Sequence, residues 1–315
     1  MQTTTLGRTG LTVSVAGLGC GGFSKIGIRK GIDHAASVTR AAYDSGVTFF
    51  DTAAAYGTEE AVAKGLEGLP RESYVLSTKF LVRFDNGLMK PEETLETLEN
   101  SLSRLKTDYI DIFHIHALTA PDYQWAIKEI LPLMLKAKEQ GKIRFAGVTE
   151  QFIVDPSHKM LKLALPDDLF DVVMAGYSII NPSAAQTLLP TAIKNNVGVL
   201  DMFAVRTSLH NPAQLANDIA FINSKGQGGE GLNAHSLDFL VEEGIASTLP
   251  EAAYRFCRHT PGIGVTLTGT GDLDHLAENL RSINLPPLPD EALKRLDSLF
   301  HNVDCVCGQN VNVSI

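Results

Sequence analysis

Four side chains in this sequence have the chemistry of proton transfer, and each sits at or just beyond the end of a short apolar run. Asp51 closes VTFF (47–50), Tyr56 follows it by five residues across a small-residue turn, Lys79 closes YVLST (74–78), and His116 closes YIDIFHI (109–115). Residues that end different strands of a parallel barrel converge on one cleft. A phenol with an ordinary pKa of about 10 is a poor acid at neutral pH, and a neighbouring ammonium favours its ionised form. Lys79 is expected to supply that charge and lower the Tyr56 value, with Asp51 holding Lys79 in place and protonated. His116 would orient a carbonyl oxygen or pass a proton. Together they make a general acid for an oxygen that gains negative charge, as happens when hydride reaches a carbonyl carbon. Singly, each has a plainer explanation, such as a helix cap, a paired lysine or a satisfied core histidine; their joint placement at neighbouring strand ends favours chemistry.

The strands and helices around them alternate in a regular rhythm. Residues 3–15 read as an antiparallel hairpin, and Ala16–Gly19 as the next strand. Helices are expected over Asp33–Ser45, Glu59–Leu66, from Pro91 along the Leu95/Leu98/Leu102/Leu105 stripe, over Tyr123–Gln140 with a break at Pro132, and over 157–165 and 183–195. Strands are expected at Val47–Phe50, Tyr74–Thr78, Tyr109–Ile115, Ile143–Val148, Phe170–Ala175, Val197–Met202 and Ile263–Leu267. After a loop with Gly226, Gly228, Gly229 and Gly231 come helices at 234–243, 250–259 and 273–280. Eight strand–helix units fit an α/β (β/α)8 TIM barrel of about 250–320 residues. With no composition break, residues 1–315 read as a single barrel domain whose amino-terminal hairpin closes the bottom.

Gly17, Gly19 and Gly22 match G-x-G-x-x-G directly after a strand. That dinucleotide fingerprint must open a helix so that its first amides hold a pyrophosphate. Gly27 and Gly31 interrupt the segment after it, which argues against a Rossmann phosphate loop.

Composition narrows the function classes. The 315 residues are 44% hydrophobic and 20% charged, with a net charge of −9 and no long basic cluster, so nucleic acid is not an expected partner. No apolar run approaches the ~18 residues of a membrane span, and MQTTTLGRTG lacks a signal-like core, so a cytoplasmic protein is expected. Cys20, Cys257, Cys305 and Cys307 are spread without metal spacing and read as structural thiols.

The chain resembles the aldo-keto reductases. LGRTGLTVSVAGLGCGG (6–22), GVTFFDTAAAYG (46–57), LSTKF (76–80), SLSRLKTDYIDIFHIHAL (101–118), GKIRFAGVT (141–149) and AENL (277–280) are similar, in order and spacing, to that family's signature segments. The resemblance implies the same barrel, a catalytic tetrad of Asp51, Tyr56, Lys79 and His116, and reversible NAD(P)(H)-dependent interconversion of a carbonyl and an alcohol, without a metal. It also implies cofactor contacts along Gly21, Gly22, Asp51, Thr149, Glu150, Met174, Met202, Phe203, Ala204, Thr268, Gly269, Thr270, Asp272, His275, Glu278 and Asn279.

Several of those positions depart from the family pattern. Thr149-Glu150 stands where Ser-Asn usually holds the nicotinamide amide, Met174 where a Gln is usual, and Met202, with Phe203 beside it, where an aromatic usually stacks. Met174 cannot replace an amide's paired hydrogen bonds. Gly269 and His275 replace the Lys and Arg that meet a 2′-phosphate, with Asp272 between them. Losing two cationic donors and gaining a carboxylate favours NAD over NADP; Asp272 could accept from ribose hydroxyls, and Glu278 and Asn279 match adenine contacts.

For substrate, Phe23, Tyr56, Phe84, His116 and Ala117 are the candidate contacts, with Trp125 a further pocket aromatic. Ala117 replaces a frequent Trp and removes a large wall, which suits a small or mid-sized aldehyde, sugar or hydroxy-ketone. Two other classes are open. His114 and His116 share one strand face, as a metal-dependent barrel hydrolase would need, with Asp201 available as a further ligand. A cofactor-binding regulatory subunit would keep the tetrad without appreciable turnover.

Overall fold

The computed structural model describes residues 1–309; residues 310–315, which the expected single domain includes, lie outside them. Twelve strands occur among the described residues. They are β1 (Thr3–Thr5), β2 (Thr12–Ser14), β3 (Ala16–Gly19), β4 (Phe49–Asp51), β5 (Val75–Leu81), β6 (Arg83–Phe84), β7 (Gly87–Leu88), β8 (Ile110–Leu118), β9 (Ile143–Glu150), β10 (Val172–Gly176), β11 (Gly198–Met202) and β12 (Val265–Thr268). Eight of these close into a barrel in the order β3-β4-β5-β8-β9-β10-β11-β12, with β12 returning to β3. Every pair in the ring is parallel. Helices connect successive barrel strands, so the expected (β/α)8 TIM barrel is the observed fold.

Strands covered on both faces read as continuous apolar runs because neither side meets water. The barrel interior holds Phe49, Val75, Ile112, Val172, Met174, Leu200 and Val265, joined by Leu6, Leu11 and Val13 from the amino-terminal segment. β1 and β2 pair antiparallel, and Leu6 between them is fully buried, worth roughly 1.5–3 kcal/mol for a side chain of that size. Phe49, Val75, Val172 and Val265 begin their strands, so this plug lies at the amino-terminal end. Gly7, at φ +49°, lies so close to Gly198 that a Cβ would stand 2.3 Å from its backbone nitrogen. Arg8 N donates to Asn196 O at 2.6 Å nearby. The plug seals one end, and the carboxyl ends of the strands open at the other.

Several elements differ from expectation, each for a local reason. β5 and β8 run past Lys79 and His116, to Leu81 and Leu118. In β8 the register breaks between Ile115 and Leu118, where Ala117 takes a left-handed φ of +52°. The helix expected over 123–140 is three pieces: Tyr123–Trp125, a π turn at Ala126–Ile130, and Leu131–Glu139. Pro132 lies at the start of the third piece, where a missing N–H is tolerated, and the wider turn just before it absorbs the mismatch. The 183–195 helix likewise divides into Ala184–Thr187 and Leu189–Lys194 ahead of Pro190, and the 234–243 helix shrinks to Phe239–Glu242. Two further helices, Pro212–Ser224 and Asp290–Phe300, bury Leu215, Ile219, Leu296 and Phe300 in an apolar cluster distinct from those of the barrel strands. After β3 the chain enters a short 3-10 segment, Lys25–Lys30, with Lys25 and Ile26 at positive φ, so the glycine fingerprint does not open a helix.

Candidate active site

The barrel brings the four sequence-selected residues to its open end. Asp51 is the last residue of β4, Lys79 lies on β5, His116 on β8, and Tyr56 ends the 3-10 turn Ala54–Tyr56 that comes after β4. Lys79 Nζ donates to Asp51 Oδ2 at 2.7 Å and to the Thr52 carbonyl at 2.7 Å, which leaves one N–H free. The ammonium stands 4.8 Å from the centroid of the Tyr56 ring. Tyr56 OH and His116 Nε2 are 3.3 Å apart, with the two rings edge to face. Ser77 Oγ donates to Asp51 Oδ1 at 2.8 Å. A Cβ on Gly21 would stand 2.4 Å from the Tyr56 ring, so only glycine lets the phenol lie across this backbone.

Burial sets the protonation states. It pulls the Lys79 ammonium down, but Asp51 and Tyr56 more than offset it, and its pKa ends above the ordinary lysine value. Burial pushes the Asp51 carboxyl up, and Lys79 and Ser77 pull against that. For Tyr56 the expected lowering is corrected: burial raises the phenol and outweighs the Lys79 charge, so its pKa lies above the ordinary value. Tyr56 is therefore a protonated phenol across the neutral range. Burial, helped by Lys79, lowers His116 to about 3, so its imidazole is neutral there. The cluster can donate a proton from Tyr56 and hold an oxygen between Tyr56 and His116.

The other expected contacts divide. Thr149 Oγ1 accepts from the Ala117 N–H at 2.7 Å, pinning the kink in β8 and leaving its own proton to donate. Glu150 has both oxygens engaged: His158 Nδ1 lies 2.9 and 3.0 Å from them, and the Gly176 N–H donates to Oε1 at 2.8 Å. Its side chain is sealed from solvent. Met174 packs in the barrel interior and Met202 against it. Phe203, at φ +74°, meets Phe152 edge to face, and Ala204 is buried.

At the end of β12, Thr268 Oγ1 accepts from Asn279 at 2.9 Å and pairs with Tyr254 OH at 2.8 Å. Asp272 caps the helix Leu273–Asn284, its Oδ1 accepting from the Asp274 and His275 N–H groups. Gly269, His275 and Glu278 are exposed, Asp272 half-buried and Thr270 buried. A Cβ on Gly269 would stand 2.7 Å from the Gly19 carbonyl, so this loop lies directly on the end of β3. Phe23 and Phe84 are about half exposed and Trp125 is half-buried. Gly22 is exposed at φ +67°.

One residue escaped sequence reasoning. The Arg206 guanidinium stacks 3.6 Å over the Phe203 ring, and a Cβ on Gly22 would stand 3.4 Å from its Nη1. Burial pulls its pKa down, its Nε is sealed from solvent without a hydrogen-bond partner, and it forms no ion pair among the described residues. A desolvated cation without a counter-charge fits an anionic ligand. It lies in the irregular segment after β11, where no periodicity marks it.

His114 and His116 both face inward, yet their Nε2 atoms are committed to Ser77 and Tyr56. Asp201 points the other way, into the layer between barrel and helices, beside Cys257 and Thr266. Among the described residues no group of three or more His, Cys, Asp or Glu could hold a metal, and no helix is long and apolar enough to cross a membrane. All four cysteines are free thiols.

Comparison with known proteins agrees with the barrel fold. The profile of the Aldo/keto reductase family matches residues 17–301. L-galactose dehydrogenase of Arabidopsis thaliana is 32% identical over 62% of this chain and 62% of its own length. An uncharacterized oxidoreductase of Bacillus subtilis, YqkF, is 26% identical over 95% of this chain and 96% of its own. Among solved structures, the holo form of aldo-keto reductase AKR11C1 from Bacillus halodurans superposes with a TM-score of 0.73 at 24% identity, covering 97% of this chain and 98% of that one. The profile match takes in all of the barrel except the first residue of β3, and on that extent the chain belongs to the aldo/keto reductase family of oxidoreductases.

Proposed function

We propose that this protein interconverts a small carbonyl compound and its alcohol with NAD(P)(H), using Tyr56 as general acid in reduction and general base in oxidation. The observation that carries the reading is the Tyr56 hydroxyl, 3.3 Å from a neutral imidazole and beside a buried lysine–aspartate pair. When bound, a nicotinamide cofactor supplies the hydride that the carbonyl carbon receives. Tyr56 gives its proton to the carbonyl oxygen as negative charge develops there, and Lys79 stabilises the phenolate left behind. Asp51 keeps Lys79 charged and aimed. His116, neutral through the working range, orients the same oxygen.

The cradle fits such a cofactor at its phosphate end and less well at its nicotinamide end. Arg206 offers a charge without a partner, and Gly21, Gly22, Phe203 and Ala204 would line that approach. The Thr268–Asp272 loop with Glu278 and Asn279 would hold the adenosine. At the nicotinamide amide, Thr149 retains one donor, whereas Glu150 is locked to His158 and Met174 is apolar. Gly269 and His275 offer no guanidinium or ammonium to a 2′-phosphate, which supports NAD as the preferred form. Ala117 leaves room beside His116 for a small or mid-sized aldehyde, sugar or hydroxy-ketone, with Phe23 and Phe84 as exposed apolar walls.

The test is a carbonyl panel assayed with NADH and NADPH after the affinity of each has been titrated. One-to-one consumption of reduced cofactor and carbonyl supports the reading. Cofactor binding without turnover across aldehydes, sugars and hydroxy-ketones refutes it and favours a binding subunit.

A further inference from the structure

Beneath the tetrad lies a second histidine that the proposed reaction does not use. His114 is fully buried on β8, two residues before His116 and in register with Lys79 on β5. Its Nε2 stands 3.1 Å from Ser77 Oγ, and Ser77 Oγ stands 2.8 Å from Asp51 Oδ1. The remaining Asp51 oxygen is the one that holds Lys79, at 2.7 Å. The Ser77–Asp51 bond sets the hydrogen-bond directions in this chain. A carboxylate only accepts, so the single Ser77 proton goes to Asp51, and the Ser77 oxygen must accept from a protonated His114 Nε2. A neutral His114 then carries its proton on Nε2, and no hydrogen bond of good geometry reaches Nδ1 among the described residues. Burial, with Lys79 and His116 nearby, holds the ring neutral, well below the ordinary histidine value, against a smaller upward pull from the Val148 backbone.

The fold makes room for this ring. Gly147 on β9 stands opposite His114 in the ladder, and a Cβ there would lie 2.2 Å from Nδ1 and 2.5 Å from Cε1. Any larger residue at 147 would push the imidazole off Ser77.

We propose that His114 is a positioning residue for the Tyr56 site, fixing the Asp51 carboxylate, and through it Lys79, by a one-way hydrogen-bond relay through Ser77. It rests on the assignment of Tyr56 as the acid. An apolar residue at 114 would leave the Ser77 hydroxyl free to rotate and Asp51 free to turn, so the ammonium beside Tyr56 would lose its fixed place.

The experiment compares His114→Leu, Ser77→Ala, the double variant and His114→Gln in the full chain. Each single change should lower kcat roughly 10- to 100-fold, the range expected for misplacing a catalytic group by a fraction of an ångström to an ångström, with cofactor affinity unchanged. Because the two residues act in series, the double variant should lose no more than either single one. His114→Gln, whose amide can still donate to Ser77, should recover part of the loss. Independently of turnover, the 13C resonance of the Asp51 carboxyl should move alike in His114→Leu and Ser77→Ala. Losses that multiply in the double variant, or an Asp51 resonance unmoved by His114→Leu in folded protein, overturn the relay. Tyr56→Phe is run alongside: turnover retained by it sinks the Tyr56 assignment and the catalytic half of this inference together. Loss there with full turnover in His114→Leu overturns the relay alone.

Discussion

Asp51 and Lys79 form a 2.7 Å ion pair, with both side chains sealed from solvent under the ring of Tyr56. Taking two charges out of water is costly, and their attraction offsets that cost only while both are present. Removing one partner strands the other, at about 3–5 kcal/mol. Asp51→Leu and Lys79→Met should each lower the thermal midpoint sharply, and the double variant should recover much of the loss. Calorimetry of the three proteins checks this; additive losses would contradict a mutually compensated pair.

His116 is lowered to about 3 by burial and by Lys79, so it carries no charge at working pH. Tyr56 is raised by burial and stays protonated. The rate of carbonyl reduction, as kcat/KM, should therefore be flat from about pH 5 to 9 and fall only at higher pH, as the acid loses its proton. A limb with a midpoint near about 6.5, the ordinary histidine value, would show that His116 titrates in that range.

Arg206 stacks on Phe203 with an unpartnered Nε. If it meets the cofactor's phosphates, Arg206→Ala should weaken cofactor binding by roughly 10- to 100-fold, as expected for a charged hydrogen bond of about 1.5–3 kcal/mol. The variant's binding should also respond less to salt. Fluorescence titration at low and high ionic strength measures both; unchanged affinity would place the guanidinium elsewhere.

Asp201 faces the layer between barrel and helices, fully buried and with neither oxygen in a hydrogen bond of good geometry. Burial pushes its carboxyl well above the carboxylate range, with Cys257 and Thr266 pulling weakly against it. The folded state thus keeps a proton that the unfolded chain gives up at the ordinary aspartate value. Stability is largest below that value and falls as pH rises towards the folded pKa. Asp201→Asn should raise the thermal midpoint at pH 8, by about 2–4 °C per kcal/mol recovered, and the gain should shrink towards pH 4. A gain that is the same at both pH values would contradict the assignment.

The barrel was legible because its strands are short, largely apolar runs that alternate with amphipathic helices, a pattern that needs no partner to be read. Asp51, Lys79 and His116 were legible from the carboxyl-terminal parts of their strands, and Tyr56 from its five-residue spacing from Asp51 across a small-residue turn. The helix Pro212–Ser224 was not read, although it carried two signals: Leu215, Ile219 and Ile222 at helical spacing, and Asn211-Pro212, where the Asn211 side chain caps the first turn. The direction of the Tyr56 shift depends on how much solvent the hydroxyl loses, which spacing does not reveal. Glu150 is committed to His158 across a turn in which His158 takes a φ of +62°, and Arg206 meets Phe203 only after the chain leaves β11 in the same unusual conformation.

The proposed chemistry stands or falls on the Tyr56 proton reaching the carbonyl oxygen. Tyr56→Phe, shown by fluorescence to bind cofactor as the native protein does, should lower single-turnover hydride transfer by the ~10²–10⁴ typical of removing a general acid. Transfer at the native rate in that variant would rule Tyr56 out as the acid.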